Sequence, residues 1–120
     1  MIRVALVDDE KPALDELEYL LKEKDIEVIG CFTDPVEARK KIIEKKPDTI
    51  FIDINMPVIN GYNLAKELLK VNKFIGIVFV TALNENDAVN QHMPFAKYLF
   101  KPVSKEKLNR ILDEIRSARR

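Results

Sequence analysis

Five short apolar runs alternate along this chain with segments of helical period, and no other feature limits the possible folds as strongly. Strands that alternate with helices pair in parallel, because each helix must cross back over the sheet before the next strand begins. The third and fourth runs are apolar on both sides, as expected for central strands that are covered on both faces. The sequence therefore predicts an α/β domain with strands at residues 2–7, 26–32, 50–54, 75–80 and 98–100.

The expected helices are marked by apolar residues at helical spacing and by capping chemistry at two of their starts. Asp34-Pro35-Val36-Glu37 places a capping acid, a proline at the first helical position and a glutamate at the third. Ser104 is expected to cap the last helix. The fourth helix, expected from residue 84 to about 92, has the weakest pattern because it is short, polar and followed by Pro94.

Composition and charge exclude several classes of protein. The 120 residues carry 20 basic and 20 acidic side chains, so net charge does not favour nucleic acid or an anionic membrane as a partner. No apolar run approaches the ~20 residues of a membrane helix, and no signal peptide is recognisable. The one cysteine, Cys31, cannot form an internal disulfide and is expected to be a small buried hydrophobe. We expect one soluble, cytoplasmic domain over residues 1–120.

Chemically active side chains follow four of the five expected strands. Functional groups in an open α/β sheet gather outside the carboxyl ends of the strands, so these residues are expected to share one edge. Asp53 is conspicuous among them because it ends an otherwise apolar run. The residues are Asp8-Asp9 after the first strand, Asp53 at the third, Thr81-Ala82 after the fourth and Lys101-Pro102 after the fifth.

Three neighbouring carboxylates repel one another unless a cation neutralises them. Oxygen ligands without histidine or cysteine favour Mg²⁺, which typically takes one or two carboxylates together with a phosphate. Thr81 and Lys101 are placed to bind the remaining oxygens of a phosphoryl group during an in-line displacement. Asp53, on the central strand, is then the expected nucleophile.

The same residues resemble the receiver domain of two-component response regulators. The resemblance rests on Asp8-Asp9, on Asp53 with Met56-Pro57 and Gly61, on Thr81-Ala82 and on Lys101-Pro102, in this order along the whole chain. It implies a three-layer (βα)5 flavodoxin-like sandwich around a five-stranded parallel sheet of order 2-1-3-4-5.

The resemblance also implies a role for each site residue. Asp53 would accept a phosphoryl group from a phosphohistidine of a sensor histidine kinase. Asp9 would ligate Mg²⁺ (or Mn²⁺) directly and Asp8 through water, with the backbone carbonyl of Asn55 as a further ligand. Lys101 would contact the phosphoryl group, with a cis bond to Pro102.

Signalling would depend on a second group of residues. Thr81 would turn toward the phosphoryl group and Tyr98 would move inward with it, which changes the face that a downstream output domain or effector binds. Small Ala82 would keep the path to Asp53 open, while Asn55 and Leu83 would set the lifetime of the acyl phosphate.

The output suggested by the resemblance is transcription. Val103-Ser104 is similar to the continuation found in receivers of LytTR-type regulators. The stretch around Pro94 and Lys97 departs from the common pattern of receiver domains. A phosphorylation-dependent homodimer through the face that contains this stretch therefore stays an open alternative. Direct binding of nucleic acid or membrane by this domain is not expected.

Other interpretations remain open from the residues alone. Asp8 and Asp9 could serve only to cap the helix that begins near Pro12, Lys101 could be a surface lysine, and Tyr98 could be core packing. The competing functions are a degenerate receiver that only binds proteins and a metal-dependent aspartyl phosphatase. The phosphatase is disfavoured because Asn55 stands where such enzymes use a second acid, and nucleotide binding lacks its glycine motifs.

Overall fold

The computed structural model describes residues 1–82, 93 and 95–118, and within them the chain forms one parallel sheet flanked by helices. All pairings between strands are parallel, and the strand order is β2-β1-β3-β4-β5, as predicted. The strands are β1 (Ile2–Val7), β2 (Ile26–Phe32), β3 (Thr49–Asp53), β4 (Gly76–Thr81) and β5 (Lys97–Phe100).

Four helices lie within the described residues: α1 (Lys11–Leu20), α2 (Pro35–Lys45), α3 (Gly61–Val71) and α4 (Lys105–Ala118). The predicted caps are present. The Asp34 carboxylate accepts a hydrogen bond from the Val36 amide at 3.0 Å, and the Ser104 hydroxyl accepts one from the Lys107 amide at 3.2 Å. The helix expected from residue 84 to about 92 lies outside the described residues.

The sheet is buried on both faces, which explains the continuous apolar runs in its centre. Ile50 and Ile52 of β3 pack beneath α2 and α3, whereas Phe51 between them packs beneath α1 and α4. Phe79 and Val78 of β4 divide between the two faces in the same way. Side chains alternate along a strand with a period of two, so one apolar strand supplies both core layers.

The expected strand limits were slightly inexact, and the expected burial of Cys31 was wrong. The expected strand limits at residues 50–54, 75–80 and 98–100 differ from those of β3, β4 and β5 by one residue at one or both ends. Cys31, expected to be buried, is exposed. The physical reason is that β2 is an edge strand, so a small apolar side chain near its end lacks the cover that a central strand receives.

No helix within the described part of the chain is both long and apolar enough to cross a lipid bilayer.

Candidate functional site

Three carboxylates converge where β1 and β3 end. Oxygen atoms of Asp8, Asp9 and Asp53 all lie within 4.8 Å of one another. Asp8 and Asp53 are each only 6% exposed, whereas Asp9 is exposed at the rim. The parallel sheet produces this arrangement, because β1 and β3 are neighbours and their carboxyl ends reach the same edge.

Asp53 carries the clearest electrostatic signature of the cluster. Its pKa is raised to about 6, first because burial disfavours the charged form and then because the Asp8 carboxylate repels it. The Lys101 ammonium and a hydrogen bond from the Asn55 amide, at 3.4 Å, oppose this rise without cancelling it. The site therefore concentrates more negative charge than its own groups compensate, which is the condition for binding a cation.

Lys101 supplies positive charge from the end of β5. Its Nζ atom lies 3.2 Å from Oδ2 of Asp8, and its side chain is 29% exposed. Burial disfavours its charge, but the Asp53 and Asp8 carboxylates outweigh burial and raise the pKa of the ammonium. The Lys101-Pro102 bond is cis, as the resemblance implies. Lys101 is thus an ion-paired site residue and not an ordinary surface lysine.

Thr81 and Tyr98 lie on the neighbouring strands β4 and β5, and Tyr98 stands three residues before Lys101. Thr81 ends β4, is fully buried, and accepts a hydrogen bond from the Lys101 amide at its carbonyl oxygen, at 2.8 Å. Ala82, the next residue, is exposed. Tyr98 is half-buried, and its ring packs 5.5 Å from that of Phe79. Leu83 lies outside the described residues, so its influence on the acyl phosphate stays a prediction.

The loop after β3 is held close to Asp53 by Gly61. The Gly61 amide donates to the carbonyl of Ile54 at 2.8 Å. A Cβ atom on Gly61 would collide with the Asp53 carbonyl oxygen and lie 2.8 Å from the Cα of Ile54, so only glycine permits this close approach. The exposed Asn55 lies within the same loop. This packing fixes the loop relative to the Asp53 carboxylate.

The simpler role for Asp8 and Asp9, capping α1, is contradicted by the structure. Glu10 occupies the capping position, and no side chain there accepts a capping hydrogen bond. Asp8 instead accepts one from the Glu10 amide at 3.0 Å, which orients its carboxylate at the end of β1. The three carboxylates form a donor set of hard oxygen atoms, which suits a small divalent cation.

Comparison with known proteins identifies the family. The family model described as "Response regulator receiver domain" matches residues 4–113. The chain belongs to this family. The receiver domain also retains, at one edge of the sheet, every acid and the lysine whose loss marks degenerate members, so nothing here favours that alternative or the phosphatase.

The similarity extends over nearly all of the receiver domain. Sensory transduction protein LytT of Bacillus subtilis is 34% identical over 121 residues, which cover 100% of this chain and 50% of LytT. Transcriptional regulatory protein YpdB of Escherichia coli is 30% identical, covering 98% of this chain and 48% of YpdB. The crystal structure of the response regulatory domain of protein mrkE from Klebsiella pneumoniae is 30% identical with a TM-score of 0.85, covering 98% of this chain and 97% of that one.

The chain spans about half the length of the curated relatives it matches. The similarity to LytT bears out the expected likeness to receivers of LytTR-type regulators.

Sequence reasoning missed one residue next to the site, Tyr62. It follows Gly61 and is only 8% exposed, and its ring meets that of Phe79 edge-on with the centroids 4.7 Å apart. A tyrosine at a buried position in the first turn of a helix is an unusual choice for pure core packing, because its hydroxyl needs a partner. The hydroxyl group of Tyr62 was the feature of the sequence that could have pointed to this residue.

Proposed function

We propose that this receiver domain is a phosphorylation-dependent switch whose phosphoacceptor is Asp53. The observation that supports this most directly is the convergence of the Asp8, Asp9 and Asp53 carboxylates, with the Lys101 ammonium 3.2 Å from Asp8. Three carboxylates next to the single Lys101 ammonium suit a reaction in which a metal ion adds positive charge and a phosphoryl group adds negative charge.

Mg²⁺ or Mn²⁺ would be held by Asp8, Asp9 and Asp53, with the backbone carbonyl of Asn55 as a further ligand. When bound, the metal ion neutralises the carboxylates and the phosphoryl oxygens, so that one anion can approach another. The raised pKa of Asp53, about 6, is in keeping with a site that binds a cation in its working state.

The phosphodonor would be a phosphohistidine of a sensor histidine kinase. A carboxylate oxygen of Asp53 attacks phosphorus, the phosphorus–nitrogen bond breaks, and the imidazole leaves with its electron pair and takes up a proton. Lys101 compensates charge on the phosphoryl oxygens, and small Ala82 leaves the approach open. Asp53 is consumed as an acyl phosphate, so the domain assists only its own phosphorylation and dephosphorylation.

Thr81 and Tyr98 would carry the change to an output surface. The Thr81 hydroxyl turns toward the new phosphoryl group and Tyr98 moves inward behind it. A partner that binds the two forms with different affinity then reads the signal. The names of LytT and YpdB indicate sensory transduction and transcriptional regulation, and we propose a transcriptional effector or output domain here as well.

Phosphorylation can be tested directly by incubating the protein with Mg²⁺ and a small phosphodonor such as acetyl phosphate. Intact-mass measurement is expected to show one added phosphoryl group, which chelation of Mg²⁺ prevents. Size-exclusion chromatography of the same sample tests whether phosphorylation produces a homodimer.

Two asparagine variants localise the modification. Asp53→Asn keeps the shape of the side chain but removes the nucleophile, and the mass gain is expected to disappear. Asp15→Asn alters an exposed carboxylate of α1 and is expected to be phosphorylated like the wild type. A mass gain that survives Asp53→Asn would refute the assignment of Asp53.

A further inference from the structure

The Tyr62 hydroxyl is a buried polar group that makes no hydrogen bond of good geometry within the described part of the chain. The side chain is only 8% exposed, and its oxygen has no hydrogen-bond partner of good geometry among the described residues. A buried hydroxyl that makes no hydrogen bond is costly, and such groups are rare in folded proteins. A conformational state in which this hydroxyl makes a well-formed hydrogen bond would therefore be stabilised by it.

The backbone of Tyr62 is fixed to the phosphoacceptor strand. Gly61 lies against the end of β3, and its amide donates to Ile54 at 2.8 Å. Tyr62 is the next residue, at the start of α3. We therefore expect Tyr62 to stay in place during signalling, while the residue that contacts it moves.

Tyr98 is the polar neighbour of the Tyr62 hydroxyl. Burial first, and then the Tyr98 phenol, through its charge and as a hydrogen-bonding neighbour, raise the pKa of Tyr62. The rings of both tyrosines contact Phe79, at centroid distances of 4.7 and 5.5 Å. The two phenols are therefore close, although the Tyr62 hydroxyl makes no well-formed hydrogen bond. A phenol both donates and accepts, so Tyr98 can bond to Tyr62 in addition to any other partner.

Tyr98 is also aligned with Thr81. Tyr98 lies opposite Phe79 in the sheet, and Phe100 lies opposite Thr81. Residues two apart on a strand point to the same face, so Phe79, Thr81, Tyr98 and Phe100 share one face of β4 and β5. A movement of Thr81 toward Asp53 changes the space beside Tyr98 on this face.

We infer that Tyr62 is a positioning residue that holds Tyr98 inward in the phosphorylated form, through a hydrogen bond between the two phenol hydroxyls. The inference rests on the proposed function, because it assumes that phosphorylation of Asp53 moves Thr81 and Tyr98. It assigns to α3, which begins against the end of β3, a direct part in stabilising the switched state.

Fluorine NMR can observe this contact, because the chain contains only three tyrosines. The protein is labelled with 3-fluorotyrosine, and each resonance is assigned from the Tyr19→Phe, Tyr62→Phe and Tyr98→Phe variants. Beryllofluoride with Mg²⁺ serves as the phosphoryl mimic. Tyr19 is 70% exposed on α1 and provides the reference resonance and the matched control variant.

In the wild type and in Tyr19→Phe, the Tyr62 and Tyr98 resonances are expected to shift together as beryllofluoride is added. In Tyr62→Phe, the Tyr98 shift is expected to shrink, and the affinity for beryllofluoride to fall about fivefold, as for loss of one hydrogen bond. Tyr62→Phe in a Tyr98→Phe background is expected to have no further effect on that affinity. Without the mimic, Tyr62→Phe is expected to be at least as resistant to urea as the wild type.

Three results would contradict this inference or its basis. Wild-type affinity and a full Tyr98 shift in Tyr62→Phe would overturn the role of Tyr62, provided that intact mass shows normal phosphorylation by acetyl phosphate. Tighter beryllofluoride binding by Tyr62→Phe would also overturn it, because Tyr62 would then favour the unswitched form. Absence of phosphorylation in the wild type would instead overturn the proposed function itself.

Discussion

Two clusters of charged side chains in this domain show opposite electrostatic behaviour. In the cluster around Asp53, burial and a neighbouring carboxylate raise the pKa of the acid to about 6. In the cluster around Arg116, the guanidinium hydrogen bonds to Asp25 and holds the pKa of that carboxyl below its usual range. The same side chain, aspartate, is thus destabilised as an anion in one place and stabilised in the other.

The difference lies in pairing and in contact with water. Both oxygens of Asp25 accept hydrogen bonds from Arg116, at 2.7 and 2.8 Å, and the Asp25 side chain is 46% exposed. Asp53 is nearly buried beside Asp8, and the Lys101 ammonium pairs with Asp8 at 3.2 Å. The Arg116 guanidinium bonds to both oxygens of Asp25, whereas the Asp53 cluster places three carboxylates around one lysine ammonium. This contrast separates a structural ion pair from the proposed binding site, and substitutions can test it.

Replacing Lys101 by methionine is expected to have the largest effect. The variant leaves Asp8 and Asp53 buried without their nearby cation, and breaking a buried pair from one side is strongly destabilising. We expect the free energy of unfolding at pH 8 and without divalent ions to fall by about 3 kcal/mol, measured by urea denaturation. Added Mg²⁺ is expected to restore part of the loss, since it binds the folded form. If the free energy of unfolding falls no more than in a surface lysine variant, water already stabilises the Asp8 and Asp53 carboxylates without Lys101.

Replacing Asp53 by asparagine is expected to stabilise the metal-free protein, whereas Lys101→Met is expected to destabilise it. A carboxyl whose pKa is raised by folding gives stability that is complete below its unfolded pKa and is lost as pH rises through the folded value. With values of 3.8 unfolded and about 6 folded, the loss falls between roughly pH 4 and pH 6. A rise of about two pKa units corresponds to about 2.7 kcal/mol, so removing the charge should gain at most about 2.7 kcal/mol at pH 8 and almost nothing at pH 4.

Urea denaturation of Asp53→Asn and wild type at these two pH values measures that gain. Asp25→Asn is the matched control, and it is expected to lose stability at pH 8 because Asp25 is a satisfied partner of Arg116. Equal stability of Asp53→Asn and wild type at pH 8 would mean that neither burial nor the Asp8 carboxylate raises the pKa of Asp53 appreciably on folding.

The sequence predicted the location of the Asp53 cluster because that location depends on topology. Parallel strands end at one edge, so Asp8, Asp53 and Lys101 had to meet once the strands were recognised. The sequence could not predict that Lys101 pairs with Asp8, because this choice depends on side-chain conformations within a few ångströms. The exposure of Cys31 likewise depends on how far α1 extends over an edge strand.

Two other features near the site could not be predicted because they arise from tertiary contacts. The burial of the Tyr62 hydroxyl follows from the contact between Gly61 and β3, which brings α3 close to the sheet. Val58, in the same loop, adopts a φ of 71°, a conformation that β-branched residues rarely take and that no propensity would suggest. Both features reflect constraints that the end of β3 places on the chain after Asp53.

Replacing Arg116 by methionine is expected to have the smallest effect, although it removes contacts to Asp25 and Asp113. Because Asp25 and Asp113 are well exposed, water replaces most of the lost interaction, and the expected cost is about 0.5–1 kcal/mol at pH 7. Asp25 has a lowered pKa, so its contribution is present above the unfolded pKa, near 4, and is lost as pH falls through the folded value. Salt should reduce the difference between variant and wild type. Urea denaturation at low and high salt measures this, and a loss as large as that of Lys101→Met would abolish the distinction between the two clusters.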